Sequence, residues 1–230
     1  MLKEIPGIYA GISRKPVDSS DLEAGFGWVG RHTGLSAESI ASLKQVHGNK
    51  VLPVPWTNFP EQRTGDALIT DRAGYALSIR SADCAPVMVA EEEGRGIGIA
   101  HVGWRGAGNG VLSAMVEELA GLLNCDPERM FASVGPAIGV CCYKVGDEFR
   151  SVFSSDLLHE RQRELFLDLP GAASWQLESS GIPPERIDLS QAFCTVCGKG
   201  APYGVSFHSH RASEGGLGRN IAFIQRSISI

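Results

Sequence analysis

The stretch Tyr75–Arg105, YALSIRSADCAPVMVAEEEGRGIGIAHVGWR, limits what this chain can fold into more than any other part of it. Three short apolar runs, Tyr75 to Ile79, Ala85 to Ala90 and Gly96 to Val102, are separated by a polar corner and an acidic turn, the pattern of successive strands. A hairpin turning between Glu92 and Glu93 opposes residues whose numbers sum to about 185, as those of Cys84 and His101 do. Directly opposed residues of an antiparallel pair hold their Cβ atoms about 5 Å apart. A thiol and an imidazole are therefore expected to meet where two corners converge, beside Asp83 on one and Trp104–Arg105 on the other.

The chain can bury a real core: of 230 residues, 43% are hydrophobic and 20% charged. The reading expects one domain over residues 1–230, of α+β class, with mixed, largely antiparallel β-sheets flanked by helices. A net charge of −5 argues against a nucleic-acid or anionic-membrane partner. No run approaches the roughly 18 apolar residues of a membrane span, and the first residues, MLKEIPGIYAGISRK, lack the pattern of a signal peptide. The expected location is the cytoplasm, with the six cysteines reduced.

Residues 1–34 are glycine-rich and weakly periodic, with one strand expected over Gly7 to Ile12. Ser36 reads as the cap of a short helix through ESIASL. In KQVHGNKVLPV, a turn at Gly48–Asn49 puts His47 at a strand end. Residues 55 to 64 read as a loop and Asp66 to Thr70 as a strand. Val111, Met115, Leu119 and Leu122 recur at helical spacing. The glycine corner before them, with Arg105, is a candidate phosphate or carboxylate subsite, although its spacing matches neither a Walker loop nor GxGxxG. ELFLDLPGAASWQLESSGI reads as a strand and then a helix with Pro170 in its first turn. Cys141–Cys142 falls in a loop and reads as buried packing. Cys194 and Cys197 form one C-x-x-C, half a zinc knuckle with no second half at suitable spacing, so a structural role is preferred. The C-terminal stretch reads as two strands around a glycine loop, with His208 and His210 on one face and Arg211 and Arg219 bracketing the loop.

Three dispersed residues, His47, Cys84 and His101, are candidates for one site. Imidazole and thiolate suit Zn²⁺, and three protein ligands with one open position mark a catalytic rather than a structural zinc. The same pair also reads as a cysteine nucleophile with a histidine base. A third reading makes His101 a hydrogen-bonded core residue on the Ile97–Ile99 side of its strand. The residues alone leave these open.

QVHGNKV, DALIT, SADCAPVMVA, AHVGWRGAGNGVL, GPAIGVCCYKVGDE, CTVC and SHRASEGGLGRN occur in the order seen in the polyphenol oxidase (laccase-domain) family, the YfiH-like group regarded as purine nucleoside phosphorylases. The chain resembles that family over about residues 44 to 225. The resemblance implies a layered α+β fold and a catalytic zinc held by His47, Cys84 and His101, with copper a less favoured occupant. It also implies phosphorolysis of adenosine, inosine, guanosine and methylthioadenosine, with adenosine deamination, and a cell-wall editing role assigned to some members. Arg105 and Arg211 are the candidates to neutralise phosphate, and Asp83 to orient a ligand histidine or accept a ribose hydroxyl. Two features depart from the family pattern. The N-terminal part is shorter, and the usual arginine pair reads Arg211-Ala212-Ser213-Glu214-Gly215 here, which bears on substrate preference.

Overall fold

In the computed structural model, residues 2–55, 63–213 and 218–227 are described. Among them the fold is α+β, with largely antiparallel sheets between helices. The six-stranded sheet has the order Ile187–Asp188, Met130–Val134, Ala85–Glu91, Ile97–Val102, Ala67–Thr70, Val51–Pro53. Its outer pairs are parallel and its inner pairs antiparallel. A four-stranded sheet runs Ile8–Ile12, Asn220–Arg226, Tyr75–Ser81, Ile40–Ala41.

These sheets stack because their strands are apolar on both faces. Leu68, Met88, Ile97 and Ile99 of the larger sheet pack against Leu77, Ile79 and Ile224 of the smaller. The smaller sheet's other face meets helix α1 (Leu22–Thr33) through Val29, Ile221 and Phe223. After the five-residue α2 (Trp104–Gly108) come α3 (Val111–Leu123) and, further along, α4 (Leu169–Ser179). Met115, Leu119 and Leu177 of these last two helices cover the larger sheet's outer face over Val87, Val89 and Ala100. Each such buried side chain contributes about 1.5–3 kcal/mol of transfer free energy. Gly98 lets α3 lie close, since a Cβ there would stand 3.1 Å from the Met115 sulfur. The helix–sheet–sheet–helix order leaves the strand ends exposed at one edge, and the site is built there.

Several expectations need correction. The hairpin register sums to 187, with Pro86 opposite His101. The buried Glu91 carboxylate accepts the N–H groups of Glu93 and Arg95, and Gly94 is left-handed at φ 70°, which moves the turn centre one residue onward. A shift of two in the sum preserves which face each residue occupies, so Cys84 lies diagonally from His101 on the same side. Helix α1 was hidden by Gly25, Gly27 and Gly30, each unfavourable for a helix by about 1 kcal/mol relative to alanine; tertiary burial of Val29 and the Asp21 cap on the Glu23 N–H offset that cost. The helix expected after Ser36 is one 3₁₀ turn followed by the strands Ile40–Ala41 and Leu43–Lys44. Leu122 faces solvent, 42% exposed. Of the two expected C-terminal strands, only Asn220–Arg226 forms among the described residues. His208 instead sits in a loop where its backbone N–H donates to the Asn220 side chain. Most of the loop at 55–64 and the Glu214–Gly215 part of the arginine motif lie outside the described residues.

Candidate metal centre

His47, Cys84 and His101 converge from three segments, each offering one donor atom, with all three atoms within 4.8 Å of one another. His101 is the penultimate residue of the Ile97–Val102 strand and is 4% exposed. Cys84 stands one residue before the Ala85–Glu91 strand, half-buried. His47 lies on an exposed loop, its ring 4.8 Å from that of His101 and tilted by 72°.

Asp66 organises the two histidines. It is fully buried, and its carboxylate accepts the His101 Nδ1–H at 3.0 Å together with the N–H groups of Val46, His47 and Gly48 at 3.2, 2.9 and 2.7 Å. Its own carbonyl accepts the His101 backbone N–H. One side chain therefore fixes the ring of one histidine and the loop of the other. That loop needs fixing, because His47 adopts φ 61°, a left-handed conformation costing about 1–2 kcal/mol for a residue with a Cβ. Occupying Nδ1 leaves Nε2 of His101 as the free donor, the carboxylate–histidine arrangement that orients and strengthens metal-ligating imidazoles. Asp66 was read from sequence only as the start of a strand. Its signal was an acidic residue at the head of a fully apolar run, a position too buried for an unpartnered charge. Gln45 was missed too; its amide clamps the loop by pairing with both the N–H and the carbonyl of Arg80.

Space at the centre is kept by Gly103. A Cβ there would stand 2.9 Å from Cys84 Sγ and 3.0 Å from His47 Cδ2. Burial alone would raise the Cys84 thiol and lower the His101 imidazole, but mutual attraction and hydrogen bonds from both histidines outweigh it. Cys84 falls to about 6, and His101, held also by Asp66, rises to about 9. Both shifts favour a thiolate–imidazolium pair in the metal-free centre, titrating as a unit. Metal-free protein should therefore alkylate at Cys84 with a rate that grows as pH rises through about 6, read by iodoacetamide labelling and peptide mass. A bound metal should suppress that labelling.

The centre opens into a cavity of about 630 Å³, within the range of small-molecule sites. Among the described residues, Lys44, Arg80, Arg211 and Arg219 line it, with Asp83 as the one carboxylate. Asp83 does not orient a ligand histidine. Its two oxygens accept the Thr195 hydroxyl at 2.6 Å and the Arg211 backbone N–H at 2.7 Å, so it anchors the cavity wall. Arg211 donates to the Lys144 carbonyl and lies over the Tyr143 ring. Arg105 lies outside the cavity lining: it is exposed, its guanidinium stacked 4.4 Å from the Trp104 ring centroid. The glycine corner beside it is a five-residue helix, and the Leu112 N–H at the start of α3 is already taken by Gln176 Oε1. Arg80 and Arg219 face each other; burial, and then Arg219, hold the Arg80 guanidinium below its ordinary range. Arg80 Nε is buried with no hydrogen-bond partner among the described residues.

Residues 17–227 match the family described as multi-copper polyphenol oxidoreductase laccase. The chain belongs to that family. It is 36% identical over 195 residues to a Deinococcus radiodurans protein named purine nucleoside phosphorylase, covering 83% of this chain and 72% of that one. It is 34% identical over 169 residues to purine nucleoside phosphorylase YlmD of Geobacillus stearothermophilus, covering 70% and 60%. The crystal structure of YlmD from that organism superposes with a TM-score of 0.84 at 28% identity over 97% of this chain and 93% of that chain. YfiH of Bacillus licheniformis shares the fold, with a TM-score of 0.82 at 24% identity, covering 95% and 92%. No helix among the described residues is long and apolar enough to cross a membrane.

Proposed function

We propose that this protein is a purine nucleoside phosphorylase whose His47, Cys84 and His101 hold a zinc ion. The observation that carries the reading is the joining of this donor set to a cation-lined cavity: two imidazoles and a depressed thiolate at one end, four basic side chains around it. The donors fit zinc in kind and number, leaving a fourth position open. They do not fit a multi-copper oxidase, since only two of the six histidines enter a candidate metal group among the described residues. When bound, the metal would supply Lewis acidity at the cavity floor.

The chain's own residues supply the remainder. Arg80 and Arg219 place two positive charges on one wall of the cavity, where a phosphate dianion can accept from the unmatched buried Arg80 Nε. Burial and the Arg219 charge hold the Arg80 guanidinium down despite the opposing Asp21 carboxylate, which makes phosphate binding and orientation a natural task of this wall. Tyr143 keeps its phenolic proton, its pKa pushed up to about 12 by burial and by the nearby Cys84 charge. It offers a ring face and a hydroxyl donor to a purine nucleoside. Adenosine, inosine, guanosine and methylthioadenosine are the proposed substrates, and adenosine deamination the accompanying activity. Assay of base release from inosine should show an absolute need for phosphate. Arg80→Ala should raise KM for phosphate by about 10- to 100-fold, the loss of one charge-assisted contact of about 1.5–3 kcal/mol. An unchanged phosphate KM would remove Arg80 from this role.

A second reading draws on the thiolate–imidazolium pair: a cysteine hydrolase acting on cell-wall precursors, with Cys84 as nucleophile. His47, which such a dyad does not need, separates the two readings.

A further inference from the structure

Beyond the cavity, the Cys141–Cys142 pair, expected to be packing, and the Cys194–Cys197 half-knuckle are gathered in one place. The Sγ atoms of Cys141, Cys142, Cys194 and Cys197 all lie within 4.8 Å of one another, with Cys141 and Cys197 sulfurs 3.5 Å apart, and none is in a disulfide. We propose that these four thiols form a second metal site, a closed four-thiolate zinc site that fixes the wall of the cavity.

The geometry of two loops argues for it. Cys194-Thr195-Val196-Cys197-Gly198-Lys199-Gly200 has the C-x-x-C spacing of a zinc knuckle, and its backbone closes on itself. Gly198 N–H donates to the Cys194 carbonyl at 2.9 Å and Cys194 N–H to the Lys199 carbonyl at 3.0 Å. Gly198 and Gly200 take φ of 70° and 89°, conformations that let both sulfurs turn to one side. The second half of the knuckle has no counterpart at suitable spacing in the sequence. It is instead the vicinal Cys141–Cys142, in a tight turn where the N–H groups of Cys142 and Tyr143 both reach the Gly139 carbonyl. Gly139 is packed between the two halves; a Cβ on it would lie 3.4 Å from both Cys141 Sγ and Cys194 Cβ. The loops are stitched by hydrogen bonds from Ala137 N–H to the Phe193 carbonyl and from Thr195 N–H to the Ala137 carbonyl.

In a tetrahedral zinc site with Zn–S bonds of about 2.3 Å, neighbouring sulfurs stand about 3.8 Å apart, close to the spacing already present. Soft thiolates in this number select zinc over harder cations. The Gly139 backbone N–H donates to the Cys194 sulfur at 3.5 Å. An N–H donor trained on a sulfur is what a metal-bound thiolate requires. With no open position, the site is structural rather than catalytic.

Its consequence for the neighbouring cavity follows from adjacency. Thr195, next to Cys194, donates to Asp83, and Tyr143, next to Cys142, lines the cavity. Ile138 N–H donates to the Asp83 carbonyl. Metal would thus lock both loops against the Asp83–Cys84 corner while touching neither substrate nor the first metal.

The test is zinc analysis of purified protein, with cobalt substitution, on wild type, Cys194→Ser/Cys197→Ser and His47→Ala. Wild type should hold about two metal ions per chain and each variant about one. The ion left in His47→Ala should show, as cobalt, the intense ligand-field bands and sulfur charge transfer of a four-thiolate tetrahedron. A His47→Ala protein without metal, or a double serine variant holding as much as wild type, would overturn the proposal. If the wild type held one ion and His47→Ala kept it, the four-cysteine site would stand and the first centre would fail. Should the double serine variant not fold, alkylation of the wild type decides. The four cysteines should resist label until a chelator is added; equal labelling with and without chelator, or a Cys141–Cys197 disulfide in the purified protein, would refute the site.

Discussion

Asp66→Ala is expected to destabilise the protein by about 3–5 kcal/mol and to lower metal affinity at the His47–Cys84–His101 centre by 10- to 100-fold or more. Both effects come from one carboxylate. Removing it strands the buried His101 Nδ1–H and takes the acceptor from the part-buried N–H groups of Val46, His47 and Gly48. Each unsatisfied buried donor costs about 1–3 kcal/mol. The left-handed backbone of His47 then loses the contact that offsets its strain. Chemical denaturation and metal titration read the two effects separately. Asp66→Asn should fall between, since its Oδ1 can still accept while its amide opposes the remaining donors. The pH dependence has a definite sign. Burial would raise the Asp66 carboxyl, but His101 and the loop N–H groups outweigh it and hold it below 3.8. Its contribution is therefore complete above that value and is lost as pH falls through the lower folded one. Acid denaturation monitored on wild type and Asp66→Asn should converge at low pH.

Gly103→Ala should lower turnover and metal affinity at least 10-fold while costing the fold about 1–3 kcal/mol. The added methyl would lie 2.9 Å from the Cys84 sulfur and 3.0 Å from His47, closer than van der Waals contact allows. Neither neighbour can withdraw cheaply. Cys84 is carried on the corner whose Asp83 carbonyl is bonded by Ile138, and His47 is held by Asp66. Donor atoms that must move apart lose the near-tetrahedral convergence a metal needs. Normal metal content in this variant would show that the donors converge less tightly than the structure places them.

Local pattern made the central strands legible. Tyr75–Ser81, Ala85–Glu91 and Ile97–Val102 are apolar runs cut by turn residues, and burial on both faces follows from their composition. The partnership of Cys84 with His101 was readable because a hairpin converts sequence spacing into distance, and an even error in register left their shared face intact. Asp66 and Arg80 were not readable in their roles. Their meaning depends on which loops the topology brings against the Ala67–Thr70 and Tyr75–Ser81 strands, and short-range periodicity carries no such information. Arg105, read from sequence as a phosphate-neutralising candidate beside the glycine corner, stacks on Trp104 outside the cavity's described lining. The four cysteines were half legible. C-x-x-C announced half a site, while the other half sits more than fifty residues earlier as a vicinal pair that no spacing rule selects.

The most direct measurement is zinc content together with phosphate-dependent hypoxanthine release from inosine, on wild type and His47→Ala. The account predicts that His47→Ala loses about one zinc per chain and at least 1000-fold in turnover. Equal zinc in both proteins, with hypoxanthine release unchanged by the substitution, would contradict it.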